Sequence, residues 1–186
     1  MEQRTVEGQR VVEDPVYRAR YAFSTEEGGD MLRVGMWVSP GGGVTPHVHP
    51  GMEERFRVVE GRCDFLAGRK WVTAGPGEEA VVPPGTRHAF RNSHDQETHV
   101  VCEARPPMSL QGFLEDVAGL SRAGKLTRRG LPRPGGLLAA AVLAHHYRDM
   151  VVLLMPPPFL QPLLLGPLAR LGERKGLRAG EFARMA

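Results

Sequence analysis

The eight residues from His47 to Glu54 read HVHPGMEE, placing two imidazoles two residues apart and then two adjacent carboxylates beside a proline and a glycine. Side chains alternate between the faces of an extended strand, so His47 and His49 project to the same side, close enough to grip one ion. Imidazole nitrogen and carboxylate oxygen are the donors that divalent first-row metals accept. A metal site is the chemistry this spacing suggests, provided that strands position it.

The surrounding sequence supplies such strands. Short runs such as MLRVGMWV, ERFRVV, KWVTA, EEAVV and THVVCEA are separated by Gly, Pro and Asp between residues 8 and 105, which predicts an all-β body, a barrel or sandwich. EEGGD before Met31 and PGGG after Ser39 have the composition of hairpin connectors. After Pro107 the texture changes. Ser109 is placed to cap a helix whose Leu110, Phe113, Val117 and Leu120 share one face and which Gly124 ends. The segment TRRGLPRPGG then leads into LLAAAVLAHHYRDMVVLLM, predicted as a second helix of about five turns that Pro156, Pro157 and Pro158 stop. Residues 1–108 are thus expected to form the β domain and 109–186 a helical extension.

A chain of 186 residues with 41% hydrophobic content can bury one full core. The first fifteen residues contain no apolar run, so no secretory signal is expected and the expected compartment is the cytoplasm. Cys63 and Cys102 are far apart and are expected to be inert buried thiols. The net charge is only +3, and the basic residues of segment 117–134 lack interleaved aromatics, which argues for a solvated loop and against nucleic-acid binding. VVLLMPPPFLQPLLLGPLA, residues 151–169, is long enough to span a bilayer, but its five prolines and flanking charges exclude a transmembrane helix. Packing onto the barrel or a second subunit is the expected role, with peripheral membrane contact as the alternative.

Two longer strings place the histidines in context. GGGVTPHVHPGMEERFRVVEG runs from Gly41 to Gly61, and GEEAVVPPGTRHAFRN from Gly77 to Asn92. Together they resemble the two motifs of the cupin superfamily of small β-barrels. Gly41, His47, His49, Glu54 and Gly61 meet the first motif's spacing, and Gly77, Pro83, Gly85, His88 and Asn92 the second's. The resemblance implies a double-stranded β-helix, or jelly-roll, barrel of the small single-barrel type followed by the helical extension. It also implies that His47, His49, Glu54 and His88 hold a divalent ion such as Fe, Mn, Ni, Cu, Co or Zn. Gly61 follows Glu54 at the motif distance, whereas Glu53 would need a glycine where Glu60 stands. Strand alternation agrees, grouping Glu54 with Phe56 and Val58, and Glu53 with Arg55 and Arg57.

By parity, Phe56, Val58 and Phe90 are the expected apolar lining of a substrate pocket. His94, His99, His145 and His146 are expected outside the ligand set, and Asn92 is expected to secure a turn. No catalytic residue beyond the ligands is assigned. A metal-dependent enzyme acting on a small molecule, with a dioxygenase-like oxidoreductase ahead of an isomerase, is the leading reading. Non-catalytic ligand binding or a structural ion, with the tail serving assembly, is the alternative. A homodimer is expected on the resemblance.

Overall fold

A computed structural model of the chain describes residues 5–6, 9–25, 28–154 and 157–185. Glu26 and Glu27 of the EEGGD connector, and Met155 and Pro156 at the expected helix stop, lie outside the described residues. The strands are β1 (Thr5–Val6), β2 (Gln9–Asp14), β3 (Ala19–Thr25), β4 (Leu32–Val38), β5 (His47–Val48), β6 (Glu53–Glu60), β7 (Cys63–Ala67), β8 (Lys70–Ala74), β9 (Glu79–Val82), β10 (His88–Arg91), β11 (Thr98–Arg105) and β12 (Val152–Leu153). The helices are α1 (Leu110–Arg122), α2 (Leu137–His146) and α3 (Gln161–Arg174).

The strands form two antiparallel sheets, ordered β1-β2-β3-β4-β11-β6-β9 and β12-β5-β10-β7-β8. Alternation decides which face each strand buries. In β4 and β11 every second residue is buried, and Val38, Val100 and Ala104 are wholly removed from solvent. In β6, Glu54, Phe56 and Val58 are buried while Arg55 and Arg57 are exposed. Val34, Met36, Phe56, Phe65 and Phe90 meet in the core between the sheets. The β body is the expected jelly-roll architecture; the chain as a whole is not all-β, because helices follow it.

The second helix differs from its expectation. It ends at His146, not at the proline triplet, and the chain re-extends as β12, where Val152 pairs with Val48 and Leu153 with His47. β-branched Val151 and Val152 favour the extended backbone, and pairing satisfies polar groups on an edge of β5 that would otherwise be left open. Ser109 likewise makes no side-chain cap to α1; its carbonyl accepts from the Phe113 amide at 3.0 Å instead. Gly124 does follow α1 at φ +65°. α3 packs on α2 through Gly172, where a Cβ would sit 2.7 Å from Val142 Cγ2. Among the described residues no helix is long and apolar enough to cross a membrane.

Asp116 knots the extension together. It is wholly buried in α1, accepting from the Tyr147 hydroxyl at 3.0 Å, the Gly180 amide at 2.6 Å and the Ala183 amide at 3.1 Å. The basic segment is only partly the solvated loop expected. Arg128 and Arg129 are exposed, but Arg122 donates to the Glu13 and Ala183 carbonyls at 2.9 and 2.8 Å, and Arg133 to the Leu126 carbonyl at 3.1 Å. Asp116→Ala leaves two part-buried amides and a buried phenol without their acceptor and is expected to cost about 2 kcal/mol. Urea unfolding gives that loss, and hydrogen exchange should show faster exchange at the Gly180 and Ala183 amides than in the barrel strands.

Candidate metal centre

Four side chains from both sheets converge between them. His47 on β5 pairs across the strands with His88 on β10, His49 follows β5, and Glu54 projects from β6 on the opposite wall. One donor atom from each of the four lies within 4.8 Å of the others, and His49, Glu54 and His88 are buried. Local turns hold them there. Gly85, in the PPGT turn at φ +75°, donates its amide to the His49 carbonyl at 2.8 Å and so ties the approach to β10 to the histidine pair. Gly61 turns at φ +74°, where a Cβ would lie 2.8 Å from the Glu97 carbonyl, so the chain leaving β6 tolerates no side chain. Asn92 donates to the Val38 and Gln96 carbonyls at 2.9 and 2.7 Å, the turn-securing role expected of it.

Backbone carbonyls fix the tautomers. His47 Nδ1 is 2.9 Å from the Thr45 carbonyl, His88 Nδ1 is 2.9 Å from the Thr86 carbonyl, and His49 Nδ1 is 2.7 Å from the Met150 carbonyl. A carbonyl only accepts, so each neutral ring carries its proton on Nδ1 and leaves the Nε2 lone pair free. This is the arrangement that outer partners impose on metal-binding histidines.

The remaining atoms fit a cation. Glu54 Oε2 lies 2.7 Å from His88 Nε2, an ion-pair distance, and both atoms are buried with no other hydrogen-bond partner among the described residues. Glu54 Oε1 is 3.7 Å from His49 Nε2. Lone pairs facing each other at such distances require either a proton or a cation that accepts both. Three nitrogens and one carboxylate, in a cluster of this size, suit a divalent first-row ion.

The titration behaviour reflects this crowding. Burial, reinforced by His88 and His49, pushes the His47 imidazolium down to about 3. Burial also lowers His49. For His88 burial acts downward, but Glu54 and the Thr86 carbonyl outweigh it and the net shift is upward. Burial would raise Glu54, and the three imidazoles reverse it, leaving its carboxyl below the usual range.

Beside the cluster lies a cavity of about 90 Å³. Phe56 and Phe90 line it together with Val34, Met36 and Val44; Val58 shares their face of the sheet but is buried in the core away from the cavity. Much of the wall comes from beyond residue 108: Leu110, Phe113, Leu114 and Val117 of α1, Val151 just before the returning strand and Leu153 within it. The apolar periodicity of α1 was visible in the sequence; the surface it covers was not. Cys102 is the buried thiol expected, its proton held by burial well above the usual thiol range. It lines the cavity, and its Sγ is 3.8 Å from Glu54 Oε1. Glu53 stays on the outer side, half-buried. His94 contacts Asp64 at 3.4 Å, His99 stacks on Trp37 with ring centroids 4.4 Å apart, and neither these nor His145 and His146 join the cluster.

Comparison with known proteins agrees with this geometry. Residues 36–102 match the cupin domain family. A polyketide synthase CurC from Streptomyces cyaneus is 33% identical over 67 residues, 36% of this chain, and the chain spans 44% of the length of that curated relative. Two solved structures share the fold at a TM-score of 0.51 each. One is a predicted oxalate decarboxylase from Thermotoga maritima, 19% identical over 57% of this chain and 99% of its own. The other is an RmlC-like cupin from Shewanella frigidimarina, 16% identical over 60% of this chain and 96% of its own. At these identities the two structures speak for the fold alone. Motif residues, paired sheets and family match coincide in identifying residues 36–102 as a cupin domain.

Proposed function

We propose that this chain is a metal-dependent cupin in which His47, His49 and His88, each through Nε2, and the Glu54 carboxylate hold one divalent transition ion. In this reading the protein acts on a small, largely apolar, oxygen-bearing molecule in the adjoining cavity. The observation that carries the reading is the locking of all three imidazoles by backbone carbonyls, with every Nε2 left free toward a buried carboxylate.

A bound ion supplies polarisation of a carbonyl or enol oxygen and, if redox-active, electrons for dioxygen chemistry. The chain's own contribution is selection and shielding. Aliphatic and aromatic side chains dominate the cavity wall, which receives dioxygen and apolar carbon skeletons more readily than sugars or dianions. That preference supports oxidation over carbohydrate isomerisation. The Streptomyces relative's name adds a substrate class: a polyketide fragment, apolar and bearing ketone or enol oxygens, has the chemistry this cavity admits. A space of about 90 Å³ holds only a few heavy atoms, so a ring-sized substrate requires α1 or the returning strand to move outward. The same smallness favours a second reading, a barrel whose ion is structural.

Elemental analysis of the purified chain is expected to find close to one transition ion per chain. His88→Ala and Glu54→Gln should each weaken binding by more than about 100-fold, beyond the cost of losing an outer partner, with circular dichroism unchanged. Full metal retention in both variants would remove the proposed ligand set. Oxygen uptake on adding small aromatic ketones separates the enzymatic reading from the structural one, which predicts none.

Ion uptake should also depend on pH in a defined sense. Burial lowers His47 and His49, whereas Glu54 raises His88 against burial, so His88 is the imidazole from which an ion must most often displace a proton. Affinity is therefore expected to rise with pH from 6.5 upward and to level off above the His88 value. Binding should release protons at pH 6.5 and progressively fewer as the pH rises, which calorimetry in buffers of different ionisation enthalpy measures.

A further inference from the structure

We infer that the backbone carbonyl of Met150 is a positioning group for His49, which makes the C-terminal segment part of the metal site's construction as well as its cover. The inference rests on the metal reading above. His47 and His88 receive their Nδ1 acceptors from the carbonyls two residues before them, Thr45 and Thr86, so their tautomers are fixed within the barrel's own turns. His49 has no such local partner. Its acceptor comes from 101 residues further along the chain, at 2.7 Å, in a buried contact.

That carbonyl is itself held firmly. The Met150 and Val151 amides both donate to the Tyr147 carbonyl at 2.9 Å, and Val152 and Leu153 pair with Val48 and His47 on the strand that carries the histidines. Tyr147 in turn is anchored by its hydroxyl to Asp116. The strap therefore joins the same strand edge that it serves.

Its effect is to decide a competition for one proton. Glu54 Oε1 stands 3.7 Å from His49 Nε2 and favours a proton there, whereas the Met150 carbonyl favours it on Nδ1. A protonated Nε2 has no lone pair to give a cation. Without the Met150 carbonyl, Nδ1 would lose its acceptor in a buried position, and the proton would move to Nε2 to meet the carboxylate.

The test is long-range ¹H–¹⁵N correlation of the imidazoles in the full-length, metal-free chain at a pH where they are neutral, followed by Zn²⁺ titration. In the wild type all three rings should carry Nδ1–H. Val152→Pro removes an amide from the strap and weakens its pairing with β5. In that variant His49 alone should move toward Nε2–H, with His47 and His88 unchanged as internal controls, and Zn²⁺ affinity should fall about 10- to 100-fold. A wild-type His49 protonated on Nε2 would overturn the assignment, and this reading does not depend on the variant folding. So would a Val152→Pro chain with fast-exchanging strap amides but unaltered His49 signals and Zn²⁺ affinity. A wild type whose His49 carries the Nδ1 proton but which takes up no Zn²⁺ upholds the tautomer assignment while removing the metal reading.

Discussion

A carboxylate and three imidazoles withdrawn from water into the space between two sheets set the terms for the rest of this molecule. Taking such groups out of water costs several kcal/mol per charge unless each polar atom finds a partner. Three backbone carbonyls satisfy the Nδ1 side of the imidazoles. The opposite side, where His88 Nε2 faces Glu54 Oε2, has no other hydrogen-bond partner among the described residues. A cluster satisfied on its outer side and open at its centre is arranged to accept a cation.

The two sheets divide the work of holding it. The smaller sheet brings His47 opposite His88 through direct strand pairing, and the larger sets Glu54 in a strand with a strict in-out pattern. Gly85 and Gly61 adopt backbone angles that other residues resist, and their placement ties the strand ends that carry the clustered histidines and Glu54. The turns and the site are therefore one mechanical unit.

The C-terminal extension joins that unit. α1 and the strap wall off the cavity, Asp116 binds the extension to itself, and Met150 reaches His49. Apolar side chains on the far side of the extension, Phe159 and Leu163 among them, remain exposed. Covering the barrel thus accounts for one face of the tail only.

The sequence by itself determined the shared face of His47 and His49, the inward choice of Glu54 over Glu53, and the β texture of residues 8 to 105, because strand alternation and turn residues are local signals, whereas His88 joined them only through the family resemblance. Gly61 and Gly85 entered through the family motif, and the structure supplies their backbone reason, a positive φ at each. Tertiary structure decided what local signals cannot carry. The stretch 147–153 is apolar enough to continue a helix, and only the open edge of β5 makes a strand of its end. Parity placed Val58 with Phe56, but Val58 is buried in the core and does not reach the cavity wall. Cys102 became a neighbour of Glu54, and Met150 a partner of His49, through contacts between residues 48 and 101 positions apart, separations that no periodicity encodes.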